Sequence, residues 1–250
     1  MTRTARLLAT VALCLAGMGG ASLAPISPAS AAQSNGGVKI MPLGDSITDG
    51  FNVAGGYRIE LWNKLAAGNH TVDFVGSMSN GPASLGDRDH EGHSGWTISQ
   101  IDAQITGWMR TSQPRTILLH IGTNDMYNAS QAPAQLSALL DRITTLAPDT
   151  EVFVATLVPF PRNAQNVQGF NAQIPGIVKT RADAGKHVHL VDMSRVTNND
   201  LADGIHPNAT GYAKMAAAWY EALVKVPAAL APVGAILPSP TVTAGSLAIS

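Results

Sequence analysis

A serine, a histidine, an asparagine and a carboxylate, each set at the end of an apolar run or beside a glycine, are the residues of this chain suited to acyl-transfer chemistry. Ser46 lies in the stretch Lys-Ile-Met-Pro-Leu-Gly-Asp-Ser-Ile-Thr-Asp-Gly at residues 39–50, where Val38, Ile40, Pro42 and Leu43 give way to Gly, Asp, Ser and Thr. That pattern reads as a short buried strand emptying into a tight polar loop, and a serine at the carboxyl end of a parallel strand is well placed to act as a nucleophile. A serine hydroxyl attacks poorly until a base takes its proton, and the resulting oxyanion needs preorganised donors. His206, in Asp203-Gly204-Ile205-His206-Pro207, brings an imidazole and a carboxylate together on one turn. Asn124, in Gly122-Thr123-Asn124-Asp125, sets an amide just after another apolar run, and Gly95, in His93-Ser94-Gly95-Trp96, offers an unhindered backbone N–H. Singly, each has a plain use as a turn, a cap or a surface residue. Their joint occurrence at strand and loop ends points to a site.

The elements that must carry these residues alternate between strand and helix patterns. Tyr57, Leu61 and Leu65 mark a first helix, and residues 71–75 a second strand. A long glycine-rich, acidic loop over residues 76–95 follows. Ile98, Ile101, Ile105 and Trp108 then recur at the spacing of one helical face. The apolar run at residues 116–121 is of the kind buried on both faces of a parallel sheet. Leu136, Leu139 or Leu140, Ile143 and Leu146 predict a third helix, residues 151–155 a fourth strand, and Val167, Phe170, Ile174 and Ile177 a fourth helix kinked at Pro175. Residues 188–192 make a fifth strand, and Tyr212, Met215, Trp219 and Leu223 one face of the last helix. Five strands alternating with five helices predict an α/β fold, a three-layer α/β/α sandwich on a five-stranded parallel sheet, with the flavodoxin-like order 2-1-3-4-5. A barrel would need eight such units.

The chain has 250 residues, enough for one domain with a sizeable core. Arg3 and Arg6 precede an apolar run from Leu7 to about Gly17, and the small residues Ala29, Ser30, Ala31 and Ala32 follow. This is a secretory signal pattern over residues 1–31, too short to span a membrane, so the protein is expected to be secreted and extracellular with no stable membrane association. Cleavage after Ala31 would leave 219 of the 250 residues and remove the only cysteine, Cys14, so the mature domain relies on its core. It would also remove two of 16 basic residues and none of 17 acidic ones, leaving 14 against 17 and a net charge of −3. No basic surface is implied, and nucleic acid is not an expected partner. The catalytic domain is placed at residues 38–226, and residues 227–250, without charge or periodicity, are read as a mobile low-complexity tail.

With these blocks in view, the chain resembles the Ser-Gly-Asn-His hydrolases, also called the SGNH or GDSL family. Gly-Asp-Ser-Ile around Ser46, Gly95, Gly122 with Asn124, and Asp203 with His206 match its four blocks over about residues 39–226. Asp-Phe-Val-Gly-Ser at residues 73–77, Asp-His-Glu-Gly-His-Ser-Gly-Trp at 89–96 and Ile-Pro-Gly-Ile-Val at 174–178 are similar to carbohydrate esterase family three, known for acetylxylan esterases. The resemblance implies an SGNH hydrolase fold and a serine esterase in which Ser46 is nucleophile, His206 general base and then acid, and Asp203 the residue orienting the imidazole. It also implies an oxyanion hole of the Ser46 and Gly95 N–H groups and the Asn124 side chain. Asp192, at the end of the fifth strand, is a weaker candidate for the acid. No apolar lid segment is evident, a departure from many members.

Other residues are open to two readings. Tyr57, Arg58, Trp96 and Tyr127 flank the blocks and are candidates to touch substrate, and equally candidates for core packing or plain exposure. Asp87, Asp89, His90, Glu91 and His93 could form a metal site, but the histidines lack helical i, i+4 spacing. Neither metal nor cofactor is expected. The expected substrate is an acylated polysaccharide such as xylan, or a small ester, with a lipid or general short-chain esterase as rival. Outside the enzyme class stand a catalytically silent carbohydrate-binding domain and a phosphate-binding flavodoxin-like protein. The loop at residues 43–50 lacks Gly-x-Gly-x-x-Gly, against nucleotides, and the joint presence of Ser46, Asn124 and His206 argues against silence.

Overall fold

The structure, a computed structural model, describes residues 36–232. The signal read at residues 1–31 and the tail beyond residue 232 lie outside the described residues. The strands β1 (Val38–Gly44), β2 (Val72–Phe74), β5 (Thr116–His120), β6 (Glu151–Ala155) and β7 (Val188–Val191) pair in parallel in the order β2-β1-β5-β6-β7. This is the expected 2-1-3-4-5 arrangement.

The sheet has seven strands rather than five. The long loop folds partly into a hairpin of β3 (Met78–Ser79) and β4 (Asp89–Gly92), and β4 runs parallel to β1, with Leu43 opposite Glu91 and Gly44 opposite Gly92. One edge of β1 is therefore shared lengthwise, by β2 along Val38 to Ile40 and by β4 along Leu43 and Gly44. Asp-His-Glu-Gly carries no strand signature, because β propensity favours branched and aromatic side chains. What holds β4 in place is contact: a Cβ on Gly92 would lie 2.4 Å from the Asp49 backbone nitrogen, so only glycine lets β4 lie this close to the segment after Ser46.

Alternation along the strands divides the core between two layers of helices. Met41, Leu43, Ile117, Leu119, Val152 and Val154 meet α3 (Ile98–Ser112), α4 (Ala132–Leu146), α5 (Ala164–Asn171) and α6 (Ile174–Asp183). Ile40, Leu118, Phe153 and Val191 meet α2 (Tyr57–Ala67) and α7 (Ala209–Val224). The fourth helix expected with a kink is in fact two, α5 and α6, and Pro175 sits in the first turn of α6, where a missing N–H costs no helical bond. Residues 227–230, read in the sequence as part of the tail, are packed on the sheet. Pro227–Leu230 forms a 3₁₀ turn with Ala229 fully buried, and Thr116 Oγ1 donates to the Ala229 carbonyl at 2.7 Å.

Candidate active site

β1, β4 and β5 run in parallel, so the segments following them emerge at one end of the sheet, and the turn before α7 is brought to the same end. Ser46 opens α1 (Ser46–Asp49), a single turn that Asp45 begins by accepting the Ile47 N–H at 2.9 Å. Ser46 Oγ lies 2.9 Å from His206 Nε2, and His206 Nδ1 lies 2.8 Å from Asp203 Oδ2. Asp203 is held by its own turn, because Oδ1 accepts the N–H groups of Ile205 at 3.0 Å and His206 at 2.8 Å. The turn is closed by Ala202 N–H on the His206 carbonyl at 2.8 Å and by a bridge between Leu201 and Pro207.

Asp203 is electrostatically suited to facing an imidazolium. Burial works to raise its pKa, but hydrogen bonds from the His206 N–H, the His206 ring, the Asn52 amide and the Ile205 N–H outweigh this and hold the carboxyl well below the usual carboxylate range. Asp45, in contrast, is wholly buried with Oδ2 unpartnered, and burial pushes its carboxyl up to about 6. An imidazole hydrogen-bonded to a serine on one nitrogen and to a fixed carboxylate on the other can take the serine proton and hold the charge.

The donors expected for an oxyanion lie on neighbouring segments. Gly95 is exposed with φ +83°. Among the described residues, neither its N–H nor that of Ser46 is used in a backbone hydrogen bond outside the helices and strands. Asn124 begins a 3₁₀ turn (Asn124–Tyr127) after β5, and its amide donates to the Trp96 carbonyl at 2.9 Å. An amide carries two N–H groups, so one is left over.

Several expectations change. Of the two readings open for Tyr57 and Arg58, core packing holds and substrate contact does not, because both are completely buried. Arg58 instead donates to the carbonyls of Thr48, Asp49, Asn80 and Arg88, and the Tyr57 hydroxyl lies 3.2 Å from Thr48 Oγ1. Asp192 accepts from the Ser194 N–H and hydroxyl. Trp96 is half-buried and stacked on His93, while Tyr127 is 62% exposed and packs edge-to-face with Phe160. The acidic loop is committed to the fold: Asp87 accepts from the Phe74 N–H, and Glu91 from the Ser77 N–H and hydroxyl. Among the described residues, no group of three or more His, Cys, Asp or Glu side chains is arranged to hold a metal ion.

Two residues of the site were missed in the sequence. Asn52 donates to Asp203 Oδ2 at 3.0 Å from a backbone at φ +68°, a region asparagine tolerates better than most residues. Phe51 is 48% exposed, with its ring centroid 4.4 Å from that of His206. Their position directly after Gly50 was the available signal.

Fold and site together define a class, the carboxylic ester hydrolases. The chain belongs to the GDSL-like Lipase/Acylhydrolase family, whose pattern matches residues 43–214. Within that class it is similar to a Clostridium thermocellum family 3 carbohydrate esterase, at 43% identity and a TM-score of 0.73 over 78% of this chain and 99% of that one. It is also similar to a family 3 carbohydrate esterase from Talaromyces cellulolyticus, at 32% identity and a TM-score of 0.68, covering 75% and 97%. A curated multidomain esterase of Ruminococcus flavefaciens is 36% identical in a 231-residue alignment that covers 80% of this chain and 30% of that protein. The chain thus spans less than a third of the length of that relative.

Proposed function

We propose that this protein is a secreted esterase that removes small acyl groups, acetyl above all, from a polysaccharide such as xylan through an acyl-enzyme. The observation that carries the reading is the unbroken line from Ser46 Oγ to His206 Nε2 at 2.9 Å and from His206 Nδ1 to Asp203 Oδ2 at 2.8 Å. His206 takes the Ser46 proton as Oγ bonds to the ester carbonyl carbon. The negative charge moves onto the carbonyl oxygen, which faces the Ser46 and Gly95 N–H groups and the Asn124 amide. Collapse expels the sugar alkoxide, which leaves with the proton from His206, and the acyl group stays on Ser46. Water, deprotonated by the same imidazole, repeats the sequence and releases the carboxylate.

Similarity to family 3 carbohydrate esterases supports the carbohydrate substrate, and the export signal of residues 1–31 supports secretion. The segment over residues 76–95 favours short acyl chains. Leu85 is buried, and Met78, 40% exposed, is the large apolar group it leaves open. A long apolar groove would gain about 0.8 kcal/mol for each methylene buried and would show a steep rise in kcat/KM with chain length. The test has two arms. A serine-directed phosphonate should label Ser46, located by peptide mapping. Nitrophenyl esters below their aggregation limit should be cleaved in the order acetyl, butyryl, octanoyl, with acetate released from acetylated xylan. An optimum at eight carbons or more, with no acetate from any acetylated polysaccharide, would move the protein to the lipid esterases.

A further inference from the structure

Residues 93–96 form a β-turn in which the Trp96 N–H donates to the His93 carbonyl at 3.1 Å. Gly95, its third residue, has φ +83°, while Ser94 is not among the residues with positive φ. This is a type II turn; a type I turn would keep φ near −90° at the third residue and reverse the central peptide. The central peptide is Ser94–Gly95, so the choice of turn decides whether the Gly95 N–H or the Ser94 carbonyl faces a given side. Ser94 and Gly95 are both exposed, and a Cβ on Gly95 would meet nothing within 4 Å, so close packing around the turn does not make that choice.

Tethers reach it from elements that also carry the site. Ser94 Oγ donates to Asp49 Oδ2 at 2.8 Å, and Asp49 is the last residue of the helical turn that begins at Ser46. Asp49 is itself braced, because its other oxygen accepts the Asn80 amide, whose carbonyl accepts from the buried Arg58 guanidinium. The His93 N–H donates to the Gly44 carbonyl at 2.9 Å. His93 Nε2 lies 2.7 Å from the fully buried Glu91, and its ring packs against both Trp96 at 4.4 Å and Trp108 at 4.7 Å, whose own centroids are 6.0 Å apart. Asn124 closes the far end on the Trp96 carbonyl. The two ends of the turn are thus fixed, and the Asp49 contact fixes its middle.

We propose that Asp49 is a positioning residue for ester hydrolysis: by holding the Ser94 hydroxyl it keeps the 93–96 turn in the form that presents the Gly95 N–H to the oxyanion. The proposal rests on the reading of Ser46 as nucleophile and Gly95 as donor. Because α1 carries both Ser46 and Asp49, nucleophile and donor are set in register by one helical turn. A hydrogen bond to a charged group is worth about 1.5–3 kcal/mol, about 10- to 160-fold at 1.36 kcal/mol per decade.

The test uses Ser94→Ala, which alters an exposed side chain. Its kcat on nitrophenyl acetate should fall about 10-fold or more, with KM changed less than about twofold and melting temperature unmoved, because a donor aimed at the oxyanion acts after the substrate is bound. Ser94→Thr, which keeps the hydroxyl, should retain kcat. Asp49→Ala should lower kcat at least as far, and adding Ser94→Ala to it should cost nothing more. Wild-type kcat in Ser94→Ala, or a change confined to KM, overturns the proposal. Phosphonate labelling separates the two levels. If Ser46 of the parent is not labelled, the nucleophile reading and this proposal fall together; if it is labelled and Ser94→Ala turns over normally, this proposal falls alone.

Discussion

Replacing Gly95 by alanine isolates the conformation of the 93–96 turn from everything around it. The added methyl meets nothing within 4 Å, so any effect comes from the backbone, which stands at φ +83°. An L-residue in the left-handed region costs about 1–2 kcal/mol. That penalty is relieved if the turn passes to type I and the Ser94–Gly95 peptide reverses. At 1.36 kcal/mol for each factor of ten, the donor-competent form should fall about 5- to 30-fold in population, bounded by the roughly 10²- to 10³-fold that one oxyanion donor is worth. The expected result is a fall in kcat on nitrophenyl acetate within those limits, with KM nearly constant and an unchanged circular dichroism spectrum. Gly95→Asn makes the comparison sharper. Asparagine is larger than alanine but tolerates the left-handed region better, so it should retain more activity. Wild-type kcat in Gly95→Ala, or Gly95→Asn more impaired than Gly95→Ala, would refute the assignment of this N–H to the oxyanion.

Ser46→Ala or His206→Ala should leave a folded protein with ester hydrolysis lower by about 10⁴-fold or more, since nucleophile and base act as one unit; near-normal turnover by folded Ser46→Ala sinks the mechanism. Asn124→Ala should cost about 10²- to 10³-fold in kcat with a smaller change in KM, and Asn124→Asp more, because a carboxylate would face both the Trp96 carbonyl and the developing oxyanion. His120 is fully buried with both ring nitrogens unpartnered, and burial pushes its pKa from 6.5 down to about 4. Between those values the unfolded chain binds a proton that the folded chain refuses. Its contribution is therefore intact above pH 6.5 and lost as pH falls toward 4, amounting to about 3 kcal/mol at 1.36 kcal/mol per unit. His120→Leu should accordingly gain melting temperature over the parent progressively from pH 6.5 to 4; parallel curves would show that His120 is not the group responsible.

The parallel core was legible because Ile117, Leu118 and Leu119, like Val152, Phe153 and Val154, are apolar on both faces, and because Ile98, Ile101 and Ile105 keep helical spacing. The candidate site residues were legible for a different reason, since glycine, serine, asparagine and histidine at strand ends interrupt those runs. What escaped was set by contacts between distant segments. β4 is a strand through its pairing with β1 and the close approach at Gly92, not through propensity. The division of one expected helix into α5 and α6 turned on whether Pro175 lies inside a helix or in its first turn, a distinction that spacing alone does not make. Tyr57 and Arg58 stood near the right blocks, yet α2 turns both inward, and an arginine satisfied by four carbonyl groups leaves no mark in the chain.

Ser46 and His206 stand 160 positions apart, whereas His206 and Asp203 share one turn. Base and acid therefore arrive as a finished pair, delivered when α7 docks on α2 through Tyr212, Trp219 and their neighbours, with the Tyr212 hydroxyl donating to the Phe51 carbonyl at 3.0 Å. Until that layer closes, Ser46 has no imidazole beside it. An incomplete chain can carry Ser46 without the His206 turn, and the onset of ester cleavage during refolding should report this docking event rather than the assembly of the sheet.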